Sequence, residues 1–281
     1  MSPFINSEFE SNRVGVMVEN RIAINRDILE GLYARYNHRE YVDPDPLEVV
    51  LRYDDPRDRE IVALIASSLA YGRVAQIVVS VSRIVDEMGS PYDFLMNTTR
   101  RSLSMKYRRF KHRFTTGREV SGMLWNTRTA IEEYGSLEAC FLTGLSDDDS
   151  NVVKALSQFV KRLRGGNGTY CPSLLPDVPK GSACKRLNLF LKWLVRKDAV
   201  DPGGWDMVDK SKLVIPLDTH MYRIGYALGM TKRRSADWKT ALEITNGFRA
   251  IAPEDPTKYD FALTRIGMKH GVGVLDLISN S

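Results

Sequence analysis

At 281 residues the chain is roughly twice a typical single-domain length. Hydrophobic residues at 43%, charged residues at 27%, 20 Gly and 12 Pro exclude collagen-like, low-complexity and disordered readings. The net charge of +5 favours an anionic partner without identifying one.

The residues before Asn20 lack the apolar core of a secretory signal. Ile22 to Tyr36 reads as a first amphipathic helix, followed by the turns Asp43-Pro44-Asp45-Pro46 and Asp54-Asp55-Pro56, which separate helices. From Asp58 a helix runs through Val62, Ile65 and Leu69, breaks at Tyr71-Gly72-Arg73, and resumes through Ile77, Val81 and Ile84 until Gly89-Ser90-Pro91. This most apolar stretch carries Arg73, Gln76 and Arg83 and falls short of the roughly 20 unbroken apolar residues of a bilayer span. Further helices are expected over Val120 to Tyr134, Ser136 to Leu142 and Val152 to Leu163, before a loop from Gly165 to about Pro179. From Ser182 to about Lys197, Leu187, Phe190, Leu191 and Leu194 form one apolar stripe, with Gly181-Ser182 as the start and N-cap. A polar linker, Asp198 to Lys212, leads to the apolar Leu213 to Leu217, then to helices over Thr219 to Leu228, Asp237 to Ile251 and Thr257 to Lys269. No alternation is long enough to propose a sheet, so the expected class is all-α.

Three cysteines, Cys140, Cys171 and Cys184, are too few and too scattered for a disulfide framework or a four-cysteine cluster. The four histidines form no HExxH pattern. No metal and no cofactor is expected.

Three features could carry chemistry. Arg100 to Phe114 holds Arg100, Arg101, Lys106, Arg108, Arg109, Lys111 and Arg113 with no acidic residue, interleaved with Tyr107, Phe110 and Phe114. Such cations can neutralise phosphates while aromatic faces stack on bases; alternatively the aromatics point into the core and the cations are a solvated face. Lys185 stands in the first turn of its helix, where unpaired amides and the dipole disfavour an added cation and so favour a neutral, nucleophilic amine. The bland alternative is an exposed helix lysine. Asp218, in Ile215-Pro216-Leu217-Asp218-Thr219-His220, is placed to cap a helix, and a capping carboxylate at a cleft can also move a proton or stabilise a cationic sugar.

Gly181-Ser182-Ala183-Cys184-Lys185 together with Ile215-Pro216-Leu217-Asp218-Thr219-His220-Met221-Tyr222-Arg223 resembles the catalytic section of the helix-hairpin-helix DNA glycosylase superfamily. There a lysine opens the second hairpin helix and an aspartate begins a later one, positions matched by Lys185 and Asp218. Ile65-Ala66-Ser67-Ser68-Leu69 and Tyr259-Asp260-Phe261-Ala262-Leu263-Thr264-Arg265 resemble flanking helices of that superfamily, in the same order over about 200 residues. The 33-residue interval from Lys185 to Asp218 is similar to the archaeal 8-oxoguanine glycosylase branch. The hairpin glycines are replaced by Leu175-Pro176-Asp177-Val178-Pro179, and the iron-sulfur cysteines of endonuclease III are absent. More specifically, Leu51 to Ile61, Cys184 to Asn188 and Lys258 to Arg265 are similar to a bacterial family known as domain of unknown function 2400.

The resemblance implies a single two-lobed helical domain with a cleft, lobe one over 61–198 and lobe two over 1–60 plus 199–281. It implies a monomeric base-excision repair N-glycosylase acting on lesion-bearing duplex DNA, the base being an oxidised purine in the archaeal branch; a cytoplasmic location is expected from the lack of a signal or membrane segment in the sequence. Lys185 would be the nucleophile, Asp218 its partner, and a Schiff base would permit a lyase step. Phosphates would be held by Lys180, Gly181, Ser182 and Arg186 and by Arg108, Arg109, Lys111 and Arg113, with Tyr71 or Arg73 inserting into DNA. The alternatives are a non-catalytic DNA-structure-binding protein on the same fold and an RNA- or nucleoside-directed enzyme.

Overall fold

The helical periods of the sequence become thirteen α-helices in the computed structural model, which describes residues 26–165, 171, 173–178 and 181–270. They are α1 (Arg26–Tyr36), α2 (Leu47–Val50), α3 (Pro56–Ser68), α4 (Val74–Val85), α5 (Pro91–Met96), α6 (Arg100–Tyr107), α7 (Gly117–Tyr134), α8 (Leu137–Leu142), α9 (Val153–Leu163), α10 (Lys185–Val195), α11 (Thr219–Ala227), α12 (Trp238–Ile251) and α13 (Asp260–His270). Strand pairing among the described residues is limited to two isolated bridges and a hairpin, β1 (Lys111–His112) with β2 (Thr115–Thr116). Two residues per strand are too few to show alternation in a sequence. The protein is mostly helical, as its periodicity predicts.

Local chemistry sets the helix starts. Asp55, Ser90, Thr99, Ser136 and Asp237 each accept a first-turn amide with the side chain, and Pro56 and Pro91 follow two of them at N1. Periodicity did not reveal α2 and α5, which are four and six residues long, or α6, in which only Leu103 and Tyr107 of eight residues are buried. Helix α6 packs along α7, where a Cβ on Gly117 would stand 1.6 Å from the Tyr107 carbonyl oxygen, so no other residue fits there.

The first helix of the most apolar stretch is the centre of the core. Every residue of α3 from Glu60 to Ser68 is buried, so the helix is enclosed on all sides by α2, α4, α5 and α10. Among the described residues no helix is long and apolar enough to cross a membrane. The segment Asp198–Lys212, read from sequence as a polar linker, is anchored in the interior at Val200, Asp201, Trp205 and Val208, which are buried between more exposed residues. Trp205 anchors it, packing on Phe141, Phe159 and Phe190 with ring centroids 5.2–6.2 Å apart.

Glu60 ties these pieces together. Its buried carboxylate accepts the Leu137 amide at 2.9 Å, the Glu138 amide at 3.3 Å and the Trp205 indole N–H at 3.0 Å. Burial pushes its pKa up to about 7 against the pull of those three donors. Glu60→Ala leaves two helix-terminal amides and an indole N–H buried without partners. It should lower stability by about 3–5 kcal/mol in urea denaturation, with Glu60→Gln costing less.

Candidate active site

Helix α10 lies against α3, and its first residue is Lys185. The expected N-cap, Ser182, is displaced from that role. Cys184 is the N-cap, in the left-handed conformation at φ 49° and ψ 36°, and the Ser182 hydroxyl accepts the Cys184 amide at 3.3 Å instead. The reason is the approach of the chain: Ser182 forms a β-bridge with Asp237, and the Gly181 carbonyl accepts the Trp238 amide, so the backbone must turn sharply before the helix begins. Gly181 and Ser182 are exposed beside Lys185. Cys184 is buried, which pushes its thiol pKa up, and all three cysteines are free.

Asp218 reaches the same place from the opposite direction. The buried segment Leu213–Leu217 is pinned to α12 by the Ile215 amide donating to Thr245 Oγ1, and it delivers Asp218 to the start of α11. Asp218 Oδ1 caps that helix through the Met221 amide at 2.8 Å, as the sequence predicts, while Oδ2 lies 3.3 Å from the Lys185 amine. One carboxylate therefore holds a helix and an amine at once. The amine remains reachable, with 38% of the Lys185 side chain exposed against 15% for Asp218.

Behind this pair is a buried charge cluster that sequence reasoning missed. Two turns further along α10, Lys192 is buried, with Nζ 3.0 Å from Asp201 Oδ1 and 3.6 Å from Asp260 Oδ2. Arg196 follows, bound to Asp201, to Asp198 at 2.8 Å and to Asp255 at 2.9 Å. Four aspartates thus face two cations, and the excess negative charge falls on Asp260. It is buried, its Oδ1 has no hydrogen-bond partner, and burial together with Asp218 and Asp201 outweighs Lys192 and Lys185 to push its pKa up to about 6. In sequence Lys192 and Arg196 lie off the apolar stripe of this segment, and helical spacing does not show whether such cations meet solvent or buried partners.

The other expected contacts divide. Arg186 Nη1 donates to the carbonyl oxygens of Ser68 and Ser173, and its guanidinium carbon stands 5.0 Å from the Tyr71 ring centroid. It fastens the end of α3 and is only partly open to a phosphate. Tyr71 is half-buried, its hydroxyl hydrogen-bonded to Thr115 Oγ1 at 2.6 Å and to the accepting His112 carbonyl at 3.1 Å. Arg73, Arg108, Arg109, Lys111 and Arg113 are exposed. Lys180 lies outside the described residues. Among those described, no group of three or more His, Cys, Asp or Glu side chains is placed to hold a metal ion.

With this geometry in view, residues 45–269 match the profile of the family described as protein of unknown function, DUF2400. The chain belongs to that family. No curated protein and no solved structure matches it. The matched DUF2400 region contains every residue of the amine–carboxylate site and of the charge cluster, and it opens at Asp45, whose carboxylate binds the buried Arg265 on α13.

Asp260 makes stability depend on pH with a definite sign. An unfolded aspartate releases its proton near 3.9, whereas the folded one holds it to about pH 6. The native state binds the extra proton in between, so this contribution is fully present below about pH 4 and is lost as pH rises through 6. Denaturation curves across that range should show the wild type losing on the order of 2–3 kcal/mol relative to Asp260→Asn. Parallel pH profiles would mean that Asp260 is ionised throughout.

Proposed function

We propose that this chain is a DNA N-glycosylase of the base-excision type, with Lys185 as nucleophile, on a two-lobed fold of the helix-hairpin-helix glycosylase kind. The observation that carries the reading is the 3.3 Å approach of the Lys185 amine to Asp218, two side chains 33 residues apart at the first turns of different helices, in a partly open position. The chain also carries the order of motifs that resembles that superfamily. Lesion-bearing duplex DNA is the substrate class that suits a nearby surface rich in exposed cations, since neutralising phosphates releases counterions.

In this mechanism the damaged nucleotide leaves the stack, at a cost of a few kcal/mol that is least for a weakly paired base. The Lys185 ammonium gives a proton to Asp218 Oδ2, its freed lone pair attacks C1′ as the C1′–N bond breaks, and the bonding electrons leave with the base, which takes up that proton. Asp218 Oδ2 stabilises the positive charge on the sugar and accepts the proton that the secondary ammonium then loses. Opening of the sugar ring gives a C1′=N Schiff base, from which β-elimination of the 3′ phosphate can follow. The capping bond to Met221 prevents Asp218 from turning away during these steps.

Borohydride reduces such a Schiff base to a stable amine, so covalent adducts on a panel of lesion-bearing oligonucleotides read the chemistry directly. Lys185→Ala should give no adduct. Asp218→Asn should slow adduct formation by about 100-fold or more while the fold persists, because asparagine caps a helix as well as aspartate does. Undiminished adduct with Lys185→Ala would remove Lys185 from the chemistry. Salt-dependent duplex binding by a wild type that releases no base and forms no adduct on any lesion would establish the non-catalytic DNA-binding alternative.

A further inference from the structure

The β1–β2 hairpin pairs Lys111 with Thr116 and His112 with Thr115, leaving Arg113 and Phe114 as its two-residue tip. Arg113 has φ +52°, the left-handed region that the first tip position of a type II′ hairpin usually assigns to glycine. A side chain kept at such a position against the local preference directs attention to what it does there. Phe114 is 62% exposed, while Tyr107 and Phe110 of the same basic segment are 4% and 6% exposed. Two of the three aromatics in that segment joined the core; the third is held out of it.

Phe114 is held by a rigid support. Its ring stacks on Tyr71 with centroids 4.7 Å apart and planes inclined by 14°, which covers one face and leaves the other for a partner. Tyr71 is fixed by its hydroxyl bonds to the hairpin and by Arg186 beside its ring. Buried His112 fixes the hairpin in turn, its Nε2 donating to the Tyr71 carbonyl and its Nδ1 accepting from Ser80 Oγ. Arg186 adjoins Lys185 in the chain, so Phe114, Tyr71 and Arg186 form a connected path from the hairpin tip to the candidate amine.

The charge around the tip selects the partner. Arg73, Arg108, Arg109, Lys111 and Arg113 are exposed, and none forms an ion pair with a described residue. Gly72 leaves room for one of them: a Cβ there would meet Arg113 Cδ and Nη1 at 3.0 Å. A flat aromatic face among unpaired cations matches a nucleic-acid strand, where bases stack on the ring while phosphates meet the cations. Bases within an intact duplex have both faces covered, so the ring requires one that is unpaired.

We infer that the hairpin tip is a DNA contact at which Phe114 stacks on an unpaired base and Arg113 binds the adjoining backbone. This rests on the DNA-binding half of the proposed function and not on its chemistry.

Fluorescence anisotropy with two labelled duplexes, one fully paired and one with a single unpaired nucleotide, tests it. Phe114→Ala should weaken binding to the bulged duplex about tenfold and change binding to the paired duplex by less than about threefold. Phe114→Trp should retain affinity, with its emission quenched by the bulged duplex. Arg113→Ala should lower the slope of log affinity against log salt by about one. Equal affinity of wild type and Phe114→Ala for the bulged duplex would overturn the inference and leave the DNA reading standing. No binding of wild type to either duplex would overturn both, as would tighter binding to polyglutamate than to DNA.

Discussion

Helix α10 carries Lys192 and Arg196 into the interior, and much of the arrangement around the candidate site follows from neutralising them. A lysine out of water needs a counter-charge within contact distance, because an unpaired buried charge is far more costly than a paired one. The counter-charges are supplied by the Asp198–Asp201 turn, by Asp255 and by Asp260 at the start of α13. Their binding to one helix draws together segments distant in the chain. Since α11 packs on α13, it also places the start of α11, with Asp218, beside the start of α10.

Carboxylates in this protein commonly do two things at once. Glu60 accepts two amides of α8 while gripping the Trp205 indole, and Asp218 caps α11 while facing the Lys185 amine. A carboxylate has two oxygens and several lone pairs, so a structural bond on one oxygen leaves the other available in a defined direction. At Asp218 that division is the basis of the site, because the capping bond orients the oxygen that meets the amine. Hydrolytic and proton-transfer chemistry depends on such prior orientation more than on the presence of the groups.

Much of the architecture was legible in the sequence. Capping residues and proline turns marked helix starts, apolar spacing marked their buried faces, and Asp218 was readable as an N-cap. What escaped had identifiable causes. Helix α6 has too few apolar residues to display its period, and the hairpin is too short to alternate. The Asp198–Lys212 segment read as a linker because polar and turn residues make up most of it and its buried anchors, Val200, Asp201, Trp205 and Val208, follow no helical or strand period. The burial of Lys192 and Arg196 was not readable because periodicity counts residue type and cannot show which charges meet partners.

By itself the sequence determined the helical class, most helix positions, the family and the two residues on which the candidate chemistry rests, since capping and amphipathic burial act over a few residues. The 3.3 Å distance between Lys185 and Asp218, the carboxylate of Asp260 behind them and the outward placement of Phe114 were decided only by tertiary structure. Each depends on which segments meet across long chain separations. That outcome is set by the summed packing of α3, α10, α11 and α13 and by the electrostatics of buried charge, neither of which is written in any local stretch.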